Sequence, residues 1–150
     1  MKLSTKGRYG LRALIDLALY SENETVSIQS IARRQNISDS YLEQLMRKLR
    51  SAGLIVSVRG AQVGFNMQRP AYEISVGDVL RALEGSLEAV TCGGEDNSCQ
   101  GADLCVTKFV WERINSSIRD TVDSIKLSQL VEESRLMREK GQTQVQKCDN

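Results

Sequence analysis

Residues 38–67 constrain the fold of this chain more than any other stretch. Leu42, Leu45, Met46 and Leu49 recur at the three- and four-residue spacing that lines one face of a helix. Ser40, Glu43, Gln44, Arg47 and Lys48 fall on the opposite face, with Arg50 near its end. Ser38 stands where an N-cap belongs, and Gly53 stops the helix after about Ala52. Leu54-Ile55-Val56-Ser57-Val58 is then β-prone, as is Phe65-Asn66-Met67. Arg59-Gly60-Ala61-Gln62-Val63-Gly64 between them has the two glycines of a hairpin tip.

Two more helices precede this unit. Leu11, Leu14, Ile15, Ala18 and Leu19 form an amphipathic stripe that ends at Glu22-Asn23-Glu24. A shorter helix begins near Ser27 and carries Ile28, Ile31 and Ala32, followed by the polar turn Gln35-Asn36-Ile37-Ser38. Helix, tight turn, helix and hairpin together predict a winged helix: a mainly α fold with a small β-hairpin wing. The second helix of such a unit enters the major groove with its N-terminal residues at the base edges. Ser, Gln and Arg side chains all hydrogen-bond base edges. Ser40, Gln44 and Arg47 are therefore candidate DNA readers, with Ser38, Tyr41 and Glu43 at the same helix end. Arg59 and Gly60 form the wing counterpart, Arg59 being suited to a narrow minor groove. Lys2, Lys6 and Arg8 are candidate phosphate contacts. The bland alternative for the helix face is ordinary solvated charge. Ser75-Val-Gly-Asp78 opens a further helix with Val79, Leu80, Ala82 and Leu83, closed by Gly85. It completes the core and receives no chemistry.

Charge supports a polyanion partner for the front half. Residues 1–69 hold 11 lysines and arginines against 5 acidic residues, and residues 70–150 hold 9 against 14, beneath a net charge of +1. No apolar run approaches the roughly 20 residues of a membrane helix. The start lacks a signal-peptide core, so the expected location is the cytoplasm, where thiols stay reduced. No histidine, nucleophile elbow or phosphate-cradling glycine loop is present, so no enzyme is expected.

The four cysteines then need another use. Cys92-x6-Cys99-x5-Cys105 lies in a segment rich in Gly, Asp and Asn, which reads as a loop. Soft thiolates select iron–sulfur clusters, zinc or Cu(I). Zinc normally takes four Cys or His ligands, often as CxxC pairs, and this chain has neither histidine nor CxxC. An iron–sulfur cluster tolerates a different fourth ligand and is favoured. A redox pair with a spare thiol remains the alternative. A long helix follows to about Ser124, with Trp111, Ile114, Ile118, Thr121 and Ile125 at alternating spacing. This seam predicts a homodimer, against the alternative of packing on its own domain. Leu127, Leu130, Val131, Leu136 and Met137 make a short amphipathic segment before a polar end. The expected division is a DNA-binding domain at 1–88, a cysteine loop at 89–105, a dimerisation and C-terminal helix at 106–140, and a disordered tail at 141–150.

Five motifs together resemble the Rrf-type winged-helix regulators, and within them the iron–sulfur cluster regulators. They are Leu3-Ser-Thr-Lys-Gly-Arg-Tyr-Gly10, Ser40-Tyr-Leu-Glu-Gln44, Val58-Arg-Gly-Ala-Gln-Val-Gly-Phe65, Ile74-Ser-Val-Gly-Asp-Val79 and the cysteine trio. The likeness covers about residues 1–140. The trio separates the chain from the cysteine-metabolism regulators, which are similar but lack these cysteines. The resemblance implies a homodimer on a double-stranded DNA operator, with a 2Fe–2S cluster on Cys92, Cys99 and Cys105, cluster-assembly proteins being its possible donors. It implies repression of cluster-assembly genes when cluster is plentiful. It assigns DNA reading to Ser40, Gln44 and Arg59, and gives Glu43 the role of rejecting certain bases in the apo form. In the family a histidine three residues after the last cysteine is the fourth ligand; here that position is Lys108. Glu95, Asp96, Asp103, Cys148 or a partner-chain group stand as substitutes. The family's nitric-oxide sensors complete their cluster with a partner carboxylate, at a position that here is Arg8. A nitric-oxide or redox sensor is the runner-up reading. An iron–sulfur electron carrier is the alternative of a different class, and it needs no DNA-shaped surface.

Overall fold

A computed structural model describes residues 3–61, 63–91 and 104–141. Helix α1 (Thr5–Tyr20) starts at Ser4, whose hydroxyl accepts from the Lys6 amide. Strand β1 (Val26–Ser27) leads into α2 (Ile28–Gln35), capped by the Ser27 hydroxyl. Asn36 ends α2 in the left-handed region at φ 55°, a conformation asparagine tolerates at a helix end. Helix α3 (Asp39–Ser51) follows, with the Ser38 hydroxyl accepting from the Tyr41 amide as the sequence predicts. Gly53, at φ 76°, turns the chain into β2 (Ile55–Val58), which returns as β3 (Gly64–Met67). A short 3-10 turn (Ala71–Glu73) precedes α4 (Val76–Glu84), whose capping box joins Ser75 and Asp78. Helices α5 (Val106–Ser124) and α6 (Leu127–Glu139) complete the described chain.

The sheet holds three antiparallel strands in the order β1-β3-β2, with Val26 opposite Phe65 and Ile55 opposite Met67. The sequence predicts only the β2–β3 hairpin. Two residues of β1 are too few to show a periodicity, and pairing with β3 alone makes them a strand.

Leu14, Leu17, Ile31, Leu42, Leu45, Leu49, Ile74 and Leu83 are all 0–1% exposed and form one core. The predicted stripe of α1 is wider than expected. Ala13, Leu14, Leu17 and Ala18 are buried, while Leu11, Ile15 and Leu19 pack half-buried at the edge, because α1 is covered by α2, α3, α4 and α6. On α3 the four predicted core residues are all buried.

Helix α6 departs from the expected grouping with α5. Leu127 is fully buried and Val131 nearly so, both within the core of the front lobe. The turn before α6 docks through two backbone hydrogen bonds of 2.8 Å, Val76 N–H to Ile125 O and Leu127 N–H to Ile74 O. By contrast, α5 buries none of its 19 residues. Among the described residues no helix is long and apolar enough to cross a membrane.

Candidate nucleic-acid interface

The candidate recognition face is laid out as helical spacing requires. Ser40, Glu43, Gln44 and Arg47 are exposed on α3, opposite its buried stripe. Arg59 and Gly60 are exposed just past β2, and Val63 is exposed on the return toward β3. Gln62 and Lys2 lie outside the described residues. Lys6 is exposed in the first turn of α1 and Arg8 is half-buried beside it.

Two predicted contact residues have structural duties. The Ser38 hydroxyl is engaged as the α3 cap, 3.2 Å from the Tyr41 amide. Tyr41 turns toward α1: its hydroxyl lies 3.1 Å from Thr5 Oγ1, and its ring meets Tyr9 edge-on at 6.2 Å. Tyr41 thus fixes the entry of the recognition helix against the N-terminus of α1. Lys48 is drawn away from the face by its ammonium, which donates to the Leu83 carbonyl at 3.2 Å. Arg50 donates to the Ser57 hydroxyl at 3.0 Å and ties the wing to α3. No spacing rule in the sequence flags that bond, because its two ends lie on elements of different period.

Helix α2 is fastened to α1 by an ion pair with a buried carboxylate. Asp16 in α1 is 1% exposed and takes three hydrogen bonds from Arg34 Nε and Nη2 at 2.6–3.1 Å. Gln35 Nε2 adds a fourth at 2.9 Å. The bond to Asp16 raises the pKa of Arg34. The Arg34 guanidinium also lies 3.9 Å from the Tyr20 ring centroid, and Arg138 of α6 sits over the same ring at 4.9 Å.

Of the cysteine trio, Cys92 and Cys99 lie outside the described residues, and so do three of the substitute ligands, Glu95, Asp96 and Asp103, together with Cys148. Cys105 is described and fits a metal ligand chemically. It is exposed at the N-cap of α5, with Sγ 3.1 Å from the Thr107 hydroxyl. That hydroxyl, and then the Lys108 backbone amide, hold the thiol below the ordinary cysteine range. The thiolate is the ligating form. Lys108 points to Glu112, 3.9 Å away. Asn115, further along α5, accepts from the Ala89 amide at 2.8 Å and donates to the Val90 carbonyl at 3.0 Å. Residues 89–90 and Cys105 are therefore attached to one helix. The sequence reading missed Asn115, since a lone Asn inside a helix carries no pattern.

Residues 3–133 match the Rrf2 family, described as "Iron-dependent Transcriptional regulator". The chain belongs to the Rrf2 family. It is 42% identical over 137 residues to the HTH-type transcriptional regulator IscR of Vibrio vulnificus, covering 91% of this chain and 81% of that protein. Among solved structures, IscR of T. potens superposes with a TM-score of 0.72 at 44% identity, covering 89% of this chain and 88% of its own. CymR, the global cysteine regulator of B. subtilis, superposes at 0.73 with 38% identity over 89% and 98%. The winged helix and its use in transcription regulation are thereby shown, and these relatives are regulators rather than enzymes.

Proposed function

We propose that this Rrf2 regulator senses iron–sulfur cluster status through a 2Fe–2S cluster on Cys92, Cys99 and Cys105, and represses cluster-biosynthesis genes. The observation that supports this most directly is at Cys105. A thiol held toward its thiolate form stands at the head of α5, and Asn115 of the same helix ties down the chain two residues before Cys92. The likeness to regulators named IscR supports the same cofactor. A bound cluster supplies a redox- and iron-sensitive centre whose loss reports scarcity or oxidation.

The chain's own residues perform the readout. Ser40, Gln44 and Arg47 face base edges in the major groove, and Arg59, with Gly60 beside it, enters the narrow minor groove from the wing. Glu43, as a carboxylate, repels base-edge acceptors and so selects among operators. Lys6 and Arg8, at the start of α1, contact phosphates.

Two copies are required on a two-fold operator with half-sites about 34–36 Å apart. The uncovered face of α5 supports a homodimer: Phe109 is 69% exposed, and Val110, Ile114 and Ile118 continue the groove beside it. This face includes Phe109 and Val110, which the predicted seam omits, while Trp111 of that seam is half-buried. Such a regulator acts in the cytoplasm, with cluster-assembly proteins as donors of its cluster.

The test is anaerobic purification followed by visible spectroscopy and iron and sulfide assays. Absorbance between about 320 and 550 nm with equal iron and sulfide is expected, and Cys92→Ala abolishes it. A colourless, iron-free protein that stays so after reconstitution overturns the cluster reading and leaves a DNA-binding regulator.

A further inference from the structure

Helix α2 carries two adjacent arginines with opposite fates. Arg34 turns inward onto Asp16 and Tyr20. Arg33 is exposed and makes no ion pair or hydrogen bond among the described residues. Its position is specific. It lines an open depression shared with Asn36, Ser38 and Asp39, at the start of α3. It also lines a second depression, shared with Gln29, Glu43 and Val63, between α2, the recognition face and the wing. Arg33 thus shares one depression with Asp39 and the other with Glu43, the two carboxylates of α3. It forms no salt bridge with either.

Two carboxylates on the surface proposed to face DNA oppose a polyanion, and a cation lining the depressions beside each of them offsets that repulsion. The first helix of a helix-turn-helix crosses the DNA backbone while the second enters the groove. A guanidinium at the end of that first helix, flanking the groove and committed to nothing within the chain, meets a phosphate with its planar fork.

We propose that Arg33 is a DNA-backbone contact, its guanidinium binding a phosphate beside the groove that α3 enters. The proposal rests on DNA binding through α3 and the wing. It makes Arg33 a source of affinity that is indifferent to sequence, in contrast to Glu43 alongside it.

The test uses the anaerobically purified full chain and two duplexes, one selected by the protein from a random pool and one of mixed sequence. Affinity is measured by fluorescence anisotropy across a salt series for the wild type, Arg33→Gln and Arg33→Lys. Loss of one phosphate contact lowers the magnitude of the log K against log salt slope by about 0.9. Because each copy of the dimer loses one contact, Arg33→Gln is expected to lower the slope by about 1.8 with a similar loss of affinity on both duplexes, and Arg33→Lys to restore it. An unchanged slope in Arg33→Gln, or a loss confined to the selected duplex, overturns the proposal while wild-type binding keeps the DNA-binding reading intact. Failure of the wild type to bind either duplex overturns both.

Discussion

Asp16 and Arg34 meet in a bidentate ion pair in which the carboxylate side chain is fully buried and the guanidinium is 30% exposed. The pair joins α1 to the first helix of the helix-turn-helix, and Gln35 and Tyr20 hold its two ends. Removing one partner of a buried pair leaves the other charge uncompensated, at about 3–5 kcal/mol. Arg34→Ala leaves the fully buried Asp16 carboxylate without its cation and is therefore expected to destabilise the fold by about that amount in urea unfolding. A loss below about 1 kcal/mol would show that the pair does not hold α2.

Glu84 couples pH to the start of α1. One oxygen, Oε1, accepts from the Ser4 amide at 3.0 Å, the Ser4 hydroxyl at 2.5 Å and the Gly7 amide at 2.9 Å. Burial pushes this carboxyl up, but the Ser4 and Gly7 hydrogen bonds outweigh it and hold its pKa below the ordinary glutamate value. A depressed carboxyl stabilises the fold above its unfolded pKa of about 4.3, and that contribution disappears as pH falls through the lower folded value. Glu84→Gln is expected to cost about 1–2 kcal/mol at neutral pH, with the gap to wild type closing in acid. A gap independent of pH from 7 to 3, followed by thermal melts, would contradict this.

Glu43 is exposed on α3, among the residues proposed to read DNA. Glu43→Ala is expected to let the apoprotein bind duplexes it otherwise rejects, with a gain of about 1–3 kcal/mol per affected base contact. Selection from a random pool by both proteins reads this directly. Identical selected sequences would exclude Glu43 as a selectivity gate.

The open side of α5 predicts the assembly. Phe109→Glu places a charge on the groove formed with Val110, Ile114 and Ile118. Sedimentation is expected to show a shift from dimer to monomer, with circular dichroism unchanged because Phe109 lies outside the folded core. A variant that remains as dimeric as the wild type would assign dimerisation to another surface.

Much of this protein is set by local pattern. The faces of α3, the cap at Ser38, the glycine stop at Gly53 and the β2–β3 hairpin follow from residue spacing and backbone preference, which act within a few residues. The same applies to the capping box of α4. Exposure of Ser40, Gln44 and Arg47 was legible for that reason, since one helical period places them opposite the buried leucines.

Long-range packing decided what no period encodes. Asp16 looks in the sequence like a polar interruption of an apolar helix; only the approach of α2 makes it a buried ion-pair anchor. Arg33 and Arg34 are indistinguishable as neighbours in the chain, and their different fates depend on which of them faces α1. Tyr41 and Lys48 read as surface residues of α3 until Thr5 and Leu83 come within hydrogen-bonding reach. Leu127 joins the front core only because the α5–α6 turn docks on the start of α4. The elements and the face each offers are legible in the chain, because they depend on interactions between near neighbours. Which polar groups are spent inside the molecule and which stay on its surface depends on tertiary packing, because those partners are separated by tens of residues and meet only when the core closes.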